Sequence, residues 1–355
     1  MKRDIPFYLT AVEGAKLSDV ATDRIAWFVA MASAKRKFSF SSDPTPKNVL
    51  LALGLLEKGR LLHAALMLFG KDAQSTCPAA VVKCSHYHGT EVVRPIPSQQ
   101  VFGATLFEQI DAATDFVLSR LDRSIGIREE TNIASERLEI PKEAIREIIV
   151  NAVVHRDYDS KGSVQIDVFA DRIEIMNPGT LPKELSAEDL PVKHLSIPVN
   201  PFLARPFFLV GYIDQLGYGT RNVVKWCREV GLPDPDFVQG HNQFRVTIWR
   251  NWLTDDRLNQ LDLNDRQRAA ITFLKEQRKI SNPEYQKVAK AIKKTATRDL
   301  KDLVDKGIFE MRGTRGPGVH YVLATNRDKI GTMGTSASEA GNRDKMGTMG
   351  TSRKK

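Results

Sequence analysis

In "EAIREIIVNAVVHRDYD", residues 143–159, an acid, an amide and an imidazole recur at every fourth position: Glu147, Asn151 and His155. At 3.6 residues per helical turn these three project along roughly one face. Ile145, Ile148, Ile149 and Ala152 fall mainly on the other side, where they can be buried. An amphipathic helix usually shows solvent a mixture of Lys and Glu. Here the polar face carries groups that accept protons and hydrogen bonds, and the helix ends in the cluster His155, Arg156, Asp157. Such a face has something to hold.

The flanking sequence supplies the elements that would position it. "GSVQIDVFADRIEIMNPG" reads as a β-hairpin with its turn near Ala170-Asp171 and a stop at Asn177-Pro178-Gly179. From Thr180 to about Pro206 the chain is polar, proline-broken and aperiodic, which predicts an irregular loop. "GYGTRNVVKWCREVGLPDP" predicts a helix opened by Gly217 and Gly219 and stopped at Gly231, and "FRVTIW" a closing strand. Upstream, helices are expected in "LSDVATDRIAWFVAMASAKRK", in two pieces of residues 41–72, and in "ATLFEQIDAATDFVLSRLD", with a strand in "AAVVKCSHYHG". Cys84, His86 and His88 alternate along that strand with Cys77 nearby, but the spacing matches no standard zinc motif.

Taken in order, "REIIVNAVVHRDY", "DRIEIMNPGTLP", "NPFLARPFFLVGYIDQLGYGTRN" and "TATRDLKDLVDKGI" resemble the GHKL ATP-binding superfamily, and more closely bacterial transcriptional regulators with a divergent ATP-binding domain, labelled ATP-dependent DNA helicase-related. The likeness runs from about Leu50 to Leu323. It implies a mixed α/β (α+β) fold: a GHKL-like α/β sandwich with an N-terminal helical region and a C-terminal winged helix-turn-helix. It also implies ATP and Mg2+ as ligands. Glu147 would orient or deprotonate water, and the Asn151 oxygen would be a magnesium ligand. Gly217, Gly219 and Thr220 would let phosphates approach a helix N-terminus, with His155, Arg156 and Asp157 at the neighbouring helix end adding positive charge through the first two. The stretch from Thr180 to Pro206 would be the ATP lid. Asn177 and Gly179 stand in the adenine-binding motif, where the family usually has Asp; an Asn carbonyl still accepts the amino hydrogen. Leu181 replaces an expected glycine, which weakens an expectation of fast hydrolysis more than one of binding. No GxxxxGK[ST] is present, so a P-loop motor is unsupported.

The net charge of +9 is uneven. Residues 264–323 hold 14 Lys/Arg against 7 Asp/Glu, and residues 324–355 hold 7 against 3, while residues 1–263 are slightly acidic. The basic C-terminal quarter is suited to a polyanion. "NDRQRAAITFLKEQ", "NPEYQKVAKAI" and "TATRDLKDLVDKG" predict three short helices, and "IFEMRGTRGPGVHYVL" two strands: a winged-helix pattern. In the third helix, begun or capped by Thr295, Ile292, Ala296, Leu300, Leu303, Val304 and Ile308 form the apolar face. Lys293, Lys294, Thr295, Thr297, Arg298 and Lys301 then face duplex DNA, with Arg312 and Arg315 adding phosphate contacts. A protein-docking role, with Arg298-Asp299 as a surface ion pair, is the competing expectation. The tail repeats "NRDKIGTMGTS" as "NRDKMGTMGTS" and has little to bury, so it is expected to be disordered.

The expected division is residues 1–42, a segment that could be the remnant of an AlbA/Schlafen-like domain; 43–100, a connecting helix-and-strand region; 101–253, the ATP-binding domain; 262–323, the winged helix; and 324–355, the tail. Three cysteines without a CxxC pair, no apolar run of membrane length and no signal peptide fit a cytoplasmic protein with no membrane partner. Double-stranded DNA is the expected partner, and a homodimer is left open. The resulting expectation is an ATP-binding, DNA-binding transcriptional regulator. Its rivals are a DNA-linked ATPase and a degenerate scaffold for protein interaction.

Overall fold

A computed structural model describes residues 5–40, 43–126, 135–214, 217–250, 258, 261–277, 279–313 and 318–323. The chain forms two compact units, Met1–Thr254 and Asp255–Lys355. The first is mixed α/β. It opens with helices α1 (Thr22–Arg36) and α2 (Pro46–Ala52), a minimal hairpin of β1 (Leu56–Glu57) and β2 (Arg60–Leu61), and helix α3 (His63–Phe69). Strands β3 (Val82–His86) and β4 (Ser98–Phe102) follow, then α4 (Leu106–Leu118), the small pair β5 (Arg123–Gly126) and β6 (Ser135–Leu138), and α5 (Lys142–Val154). The unit closes with β7 (Val164–Val168), β8 (Arg172–Pro178), α6 (Pro201–Leu209), α7 (Gly219–Glu229), β9 (Asp236–Gln239) and β10 (Gln243–Trp249).

Six strands make one sheet in the order β4-β3-β7-β8-β10-β9, antiparallel throughout except for the parallel β3–β7 pair. The parallel pair requires a crossover, and α4 and α5 lie within it. Alternation decides the inward faces: Val164, Ile166 and Val168 on β7, with Ile173 and Ile175 on β8, are buried. They meet Ala144, Ile145, Ile148, Ile149 and Ala152, so α5 buries the expected face. Helix α4 starts at a capping box in which Glu108 N–H points at the Thr105 hydroxyl and Thr105 N–H donates to Glu108. One apolar core runs from Tyr8 to Ile248, so α1–α3 and β3–β4 pack into the same core as α5 and the hairpin.

The hairpin, α4, α5, α7 and the strand at β10 lie where the pattern puts them. The aperiodic segment does not extend to Pro206: α6 begins at Pro201, where the fixed φ of proline suits a first helical turn. Burial of Leu203, Ala204 and Phe207 outweighs the donor missing at Pro206. Edge strands β4 and β9 left no period-two signal, because their side chains are mostly exposed or half-exposed.

In the second unit, α8 (Asp265–Gln277), α9 (Asn282–Val288) and α10 (Lys293–Asp305) precede the antiparallel pair β11 (Phe309–Arg312) and β12 (His320–Leu323). Ala270, Ile271, Leu274, Tyr285, Ala296, Leu300, Leu303 and Ile308 are buried. Three expectations need correction. Helix α10 starts at Lys293, two residues before Thr295. Ile292 precedes it and is 71% exposed instead of packed. Asp299 is not a surface group: it is buried, pairs with Arg266 at 2.8 Å and accepts from the Tyr285 hydroxyl at 3.1 Å, with Arg298 Nε more distant at 3.7 Å. The tail repeat lies outside the described residues. Among the described residues no helix is long and apolar enough to cross a membrane.

Because α5 is anchored by its apolar face, Ile149→Ala should lower the unfolding free energy of the first unit by about 2–5 kcal/mol through the cavity it leaves. Chemical denaturation followed by tryptophan fluorescence measures this; a loss below about 1 kcal/mol would mean α5 is not held by this contact.

Candidate functional site

A cavity of about 420 Å³ opens beside the polar face of α5, within the size range of small-molecule sites. Glu147, Asn151 and His155 line it together, one helical turn apart. Asn151 Nδ2 donates to Glu147 Oε1 at 3.1 Å, so the amide nitrogen is committed and its oxygen is the end left for a ligand. Burial pushes the Glu147 carboxyl above the usual carboxylate range; the Asn151 hydrogen bond opposes this and the negative Asp214 adds to it.

Opposite α5 stands the glycine turn. A Cβ on Gly219 would overlap the Glu147 carboxylate, and one on Gly217, whose φ is +67°, would overlap the His194 carbonyl oxygen. Gly217, set against backbone at positive φ, therefore requires glycine; at Gly219 a Cβ would displace the Glu147 side chain, because the first turn of α7 lies directly against the acid. Thr220 donates to the Leu190 carbonyl at 2.8 Å and lies 3.0 Å from His194 Nε2, which ties the Thr180–Val199 segment to the start of α7. The same segment is pinned at its beginning by Leu181 N–H donating to Gln239 Oε1 at 2.9 Å. At its end the buried Asn200 donates to the carbonyls of Val154 and Arg156 at 2.9 and 2.7 Å. From β8, Asn177 reaches the cavity; with its amide assigned so that the nitrogen donates to the Ala152 carbonyl at 3.0 Å, its oxygen is the acceptor left for a ligand.

Glu147, Asn151, His155, Asn177, Gly217, Gly219 and Thr220 are thus brought together, while Arg156, Asp157 and Gly179 do not line the cavity. Arg156 is 2% exposed; it donates to the carbonyls of Ser160 and Gly162 and stacks 4.7 Å over Tyr158, so it braces the turn into β7. Asp157 is exposed and accepts from Asp159 N–H at 2.9 Å. Gly179 N–H donates to the Asn242 carbonyl at 3.0 Å. The expected positive charge at this helix end is also absent from the cavity. Burial pushes the His155 imidazole down to about 4, and its Nδ1 accepts from Val199 N–H at 3.4 Å, so the ring is neutral near pH 7.

Sequence reasoning missed His194 and Asp214, which also line the cavity. His194 sits in the aperiodic segment and carried no signal. Asp214, three residues before Gly217, could have been found by looking for charge beside the glycine turn.

In the second unit Lys293, Lys294, Thr297, Arg298 and Lys301 are exposed along α10, and Thr295 is half-buried. The Thr297 hydroxyl is already used: it accepts from Asn282 Nδ2 at 3.0 Å and donates to the Lys293 carbonyl at 2.9 Å. Arg312 is exposed and 3.3 Å from Glu310; Arg315 lies outside the described residues.

Comparison with known proteins adds two findings. Residues 162–248, which span β7 to β10 and include Asn177 and the glycine turn but not Glu147 or Asn151, match a family model described as "Putative ATP-dependent DNA helicase recG C-terminal". The crystal structure of the DIP2311 protein from Corynebacterium diphtheriae is similar in fold, with a TM-score of 0.55 and 17% identity, covering 90% of this chain. The chain spans 64% of the length of that protein. A search of the curated proteins gives no match.

The shifted imidazole of His155 makes a pH prediction. Its proton affinity is lower folded than unfolded, so the unfolded state binds the extra proton first. Its contribution to stability is complete above about pH 6.5 and is lost as pH falls toward about 4. His155→Gln should flatten the fall in unfolding free energy over that window; an unchanged profile would place the imidazole in a solvent-like setting.

Proposed function

We propose that the first unit binds ATP with magnesium and the second binds double-stranded DNA, making the chain a nucleotide-responsive DNA-binding regulator. One observation carries the nucleotide half: Glu147 and Asn151 from α5, Asn177 from β8 and the Gly217–Thr220 turn of α7 converge on one cavity. The match of residues 162–248 to a helicase-related, ATPase-like family model supports the same half.

The donor set fits a magnesium ion, since the Asn151 amide oxygen is a hard ligand and its nitrogen is held on Glu147. When bound, the ion supplies the positive charge that the lining lacks; the described lining residues include Glu147 and Asp214 but no Lys or Arg. Asn177, with its nitrogen held on the Ala152 carbonyl, offers an acceptor for an exocyclic amino group of a purine. The first turn of α7 presents free N–H groups, and its glycines let phosphates come close. Glu147 sits where it can take a proton from water, and its raised proton affinity suits a general base better than an ordinary surface carboxylate. That last feature favours a second reading, a DNA-linked ATPase, in which the bound nucleotide is hydrolysed.

The DNA half rests on the basic face of α10 in an arrangement of three helices and a strand pair. In winged-helix proteins the N-terminal part of such a helix enters the major groove. Lys293, Lys294 and Lys301 are exposed there, Arg298 is exposed with only a 3.7 Å pairing to Asp299, and Thr297 would first have to release Asn282. Arg312 needs only to exchange a surface pair worth little.

Saturating ATP with magnesium should raise the melting temperature of the full chain, because a ligand of the native state alone stabilises it. Asn151→Ala should remove most of that shift, while Glu147→Gln should keep it and lose any phosphate release. A wild-type melting curve unmoved by nucleotide would end the nucleotide reading.

The full chain should bind duplex DNA with an affinity that falls steeply with salt. Arg298→Ala should blunt sequence preference by about 1–3 kcal/mol at one base pair. Removal of residues after Leu323 should weaken all sequences alike and lower the salt slope by roughly one unit per lost contact. Gel-shift titrations at two salt concentrations separate these effects; no binding at low salt would make the second unit a protein-docking module.

A further inference from the structure

Arg36, the last residue of α1, lies 178 positions before Asp214 yet forms its ion pair, with Nη2 2.5 Å from Asp214 Oδ1. The same guanidinium donates from Nε to the Phe208 carbonyl at 3.1 Å and from Nη2 to the Ile213 carbonyl at 3.0 Å. Its plane lies 4.3 Å from the centre of the Phe208 ring. A planar fork with several donors suits such a multiple grip, which a lysine cannot copy. The Phe208 carbonyl, near the end of α6, also accepts from Gly211 N–H at 3.1 Å, so Arg36 adds a second donor to an existing helix end. Every partner belongs to the stretch that leads from α6 into the glycine turn.

The stretch matters because Ile213 and Asp214 line the cavity. Asp214 is one of two carboxylates there, and its charge is felt at Glu147. With no Lys or Arg among the described lining residues, the charge opposing Asp214 comes from Arg36, outside the lining. An anionic ligand entering the cavity meets Glu147 and Asp214 together. It meets Asp214 as half of a neutral pair only while Arg36 is in place.

Resting on the nucleotide reading above, we propose that Arg36 is a positioning residue for the cavity. It neutralises Asp214 and clamps Phe208–Asp214, so that the first unit accepts a polyphosphate next to an otherwise acidic wall. The helix at the start of the chain is thereby part of the ligand site, although its side chains do not line the cavity.

The test is calorimetric titration of the full chain with a non-hydrolysable ATP analogue and magnesium. Arg36→Ala should weaken binding by roughly two- to five-fold, the scale of one solvent-screened ion pair. Adding Asp214→Asn should restore most of the loss, because the unopposed carboxylate is then gone. Arg36→Lys, which keeps the charge and loses the fork, should fall between wild type and alanine. Asp214→Asn alone, with Arg36 left cationic, should bind at least as tightly as wild type, and this holds the test open should Arg36→Ala fail to fold. Unchanged affinity in Arg36→Ala, no recovery in the double variant, or weaker binding by Asp214→Asn each overturn the proposal while leaving nucleotide binding intact. Absence of binding by the wild type overturns both.

Discussion

The Glu147 carboxylate lies where a side chain at residue 219 would begin, and most of the first unit is arranged around that contact. A Cβ at residue 219 would push the Glu147 side chain out of this position, so the contact between acid and turn depends on the glycine. Such an approach tolerates little error, so both helices must be held firmly from behind. Helix α5 is held by its isoleucines on the sheet, and α7 by Val223, Val224 and Cys227, all buried. Close-packed interiors transmit strain, so a shift of either helix would be felt at the acid. The result is a carboxylate kept partly dry beside an amide, in a wall that otherwise offers mostly apolar surface and backbone.

Charge in this cavity is managed from outside its lining. The residues that face the space are acidic or neutral, and the cations stand behind it or at its edge. Lys193 and Arg221 each lie 5.6 Å from the Tyr218 ring, next to the first turn of α7. On the nucleotide reading, a lining of this kind would discourage a bare anion and favour one that arrives with its own counter-ion. That selectivity follows from what is missing from the wall as much as from what is present.

The helix bearing Glu147, Asn151 and His155 was legible because its apolar and polar residues both repeat with the helical period, and each signal supports the other. The glycine turn was legible for a related reason: two glycines beside a helix start have few other uses. Arg156 and Asp157 were misplaced because residues past the end of a helix leave its face, and the C-cap conformation of His155, φ −98° and ψ 7°, already turns the chain away. Asp214 stood beside the glycine turn in the sequence, but its pairing with Arg36 of α1 is visible only in the fold. In the second unit, Ile292 and Asp299 broke the helical pattern in opposite directions. One is apolar and exposed, the other charged and buried, and only tertiary contacts decide such residues.

The stretch between Leu181 and Asn200 is tethered at both ends before any ligand arrives, to Gln239 of β9 at one end and to the end of α5 at the other. The entropic cost of bringing loop ends together grows with length, as about (3/2)RT ln n. Here that cost belongs to folding rather than to ligand capture. On the nucleotide reading, a ligand would meet a strap already held at both ends and, through Leu190 and His194, at its middle, so little of its interaction energy would be spent on ordering. On that reading, differences in affinity among related ligands would be expressed chiefly in how long each remains beneath the strap, and the occupancy of the site would become a matter of residence time.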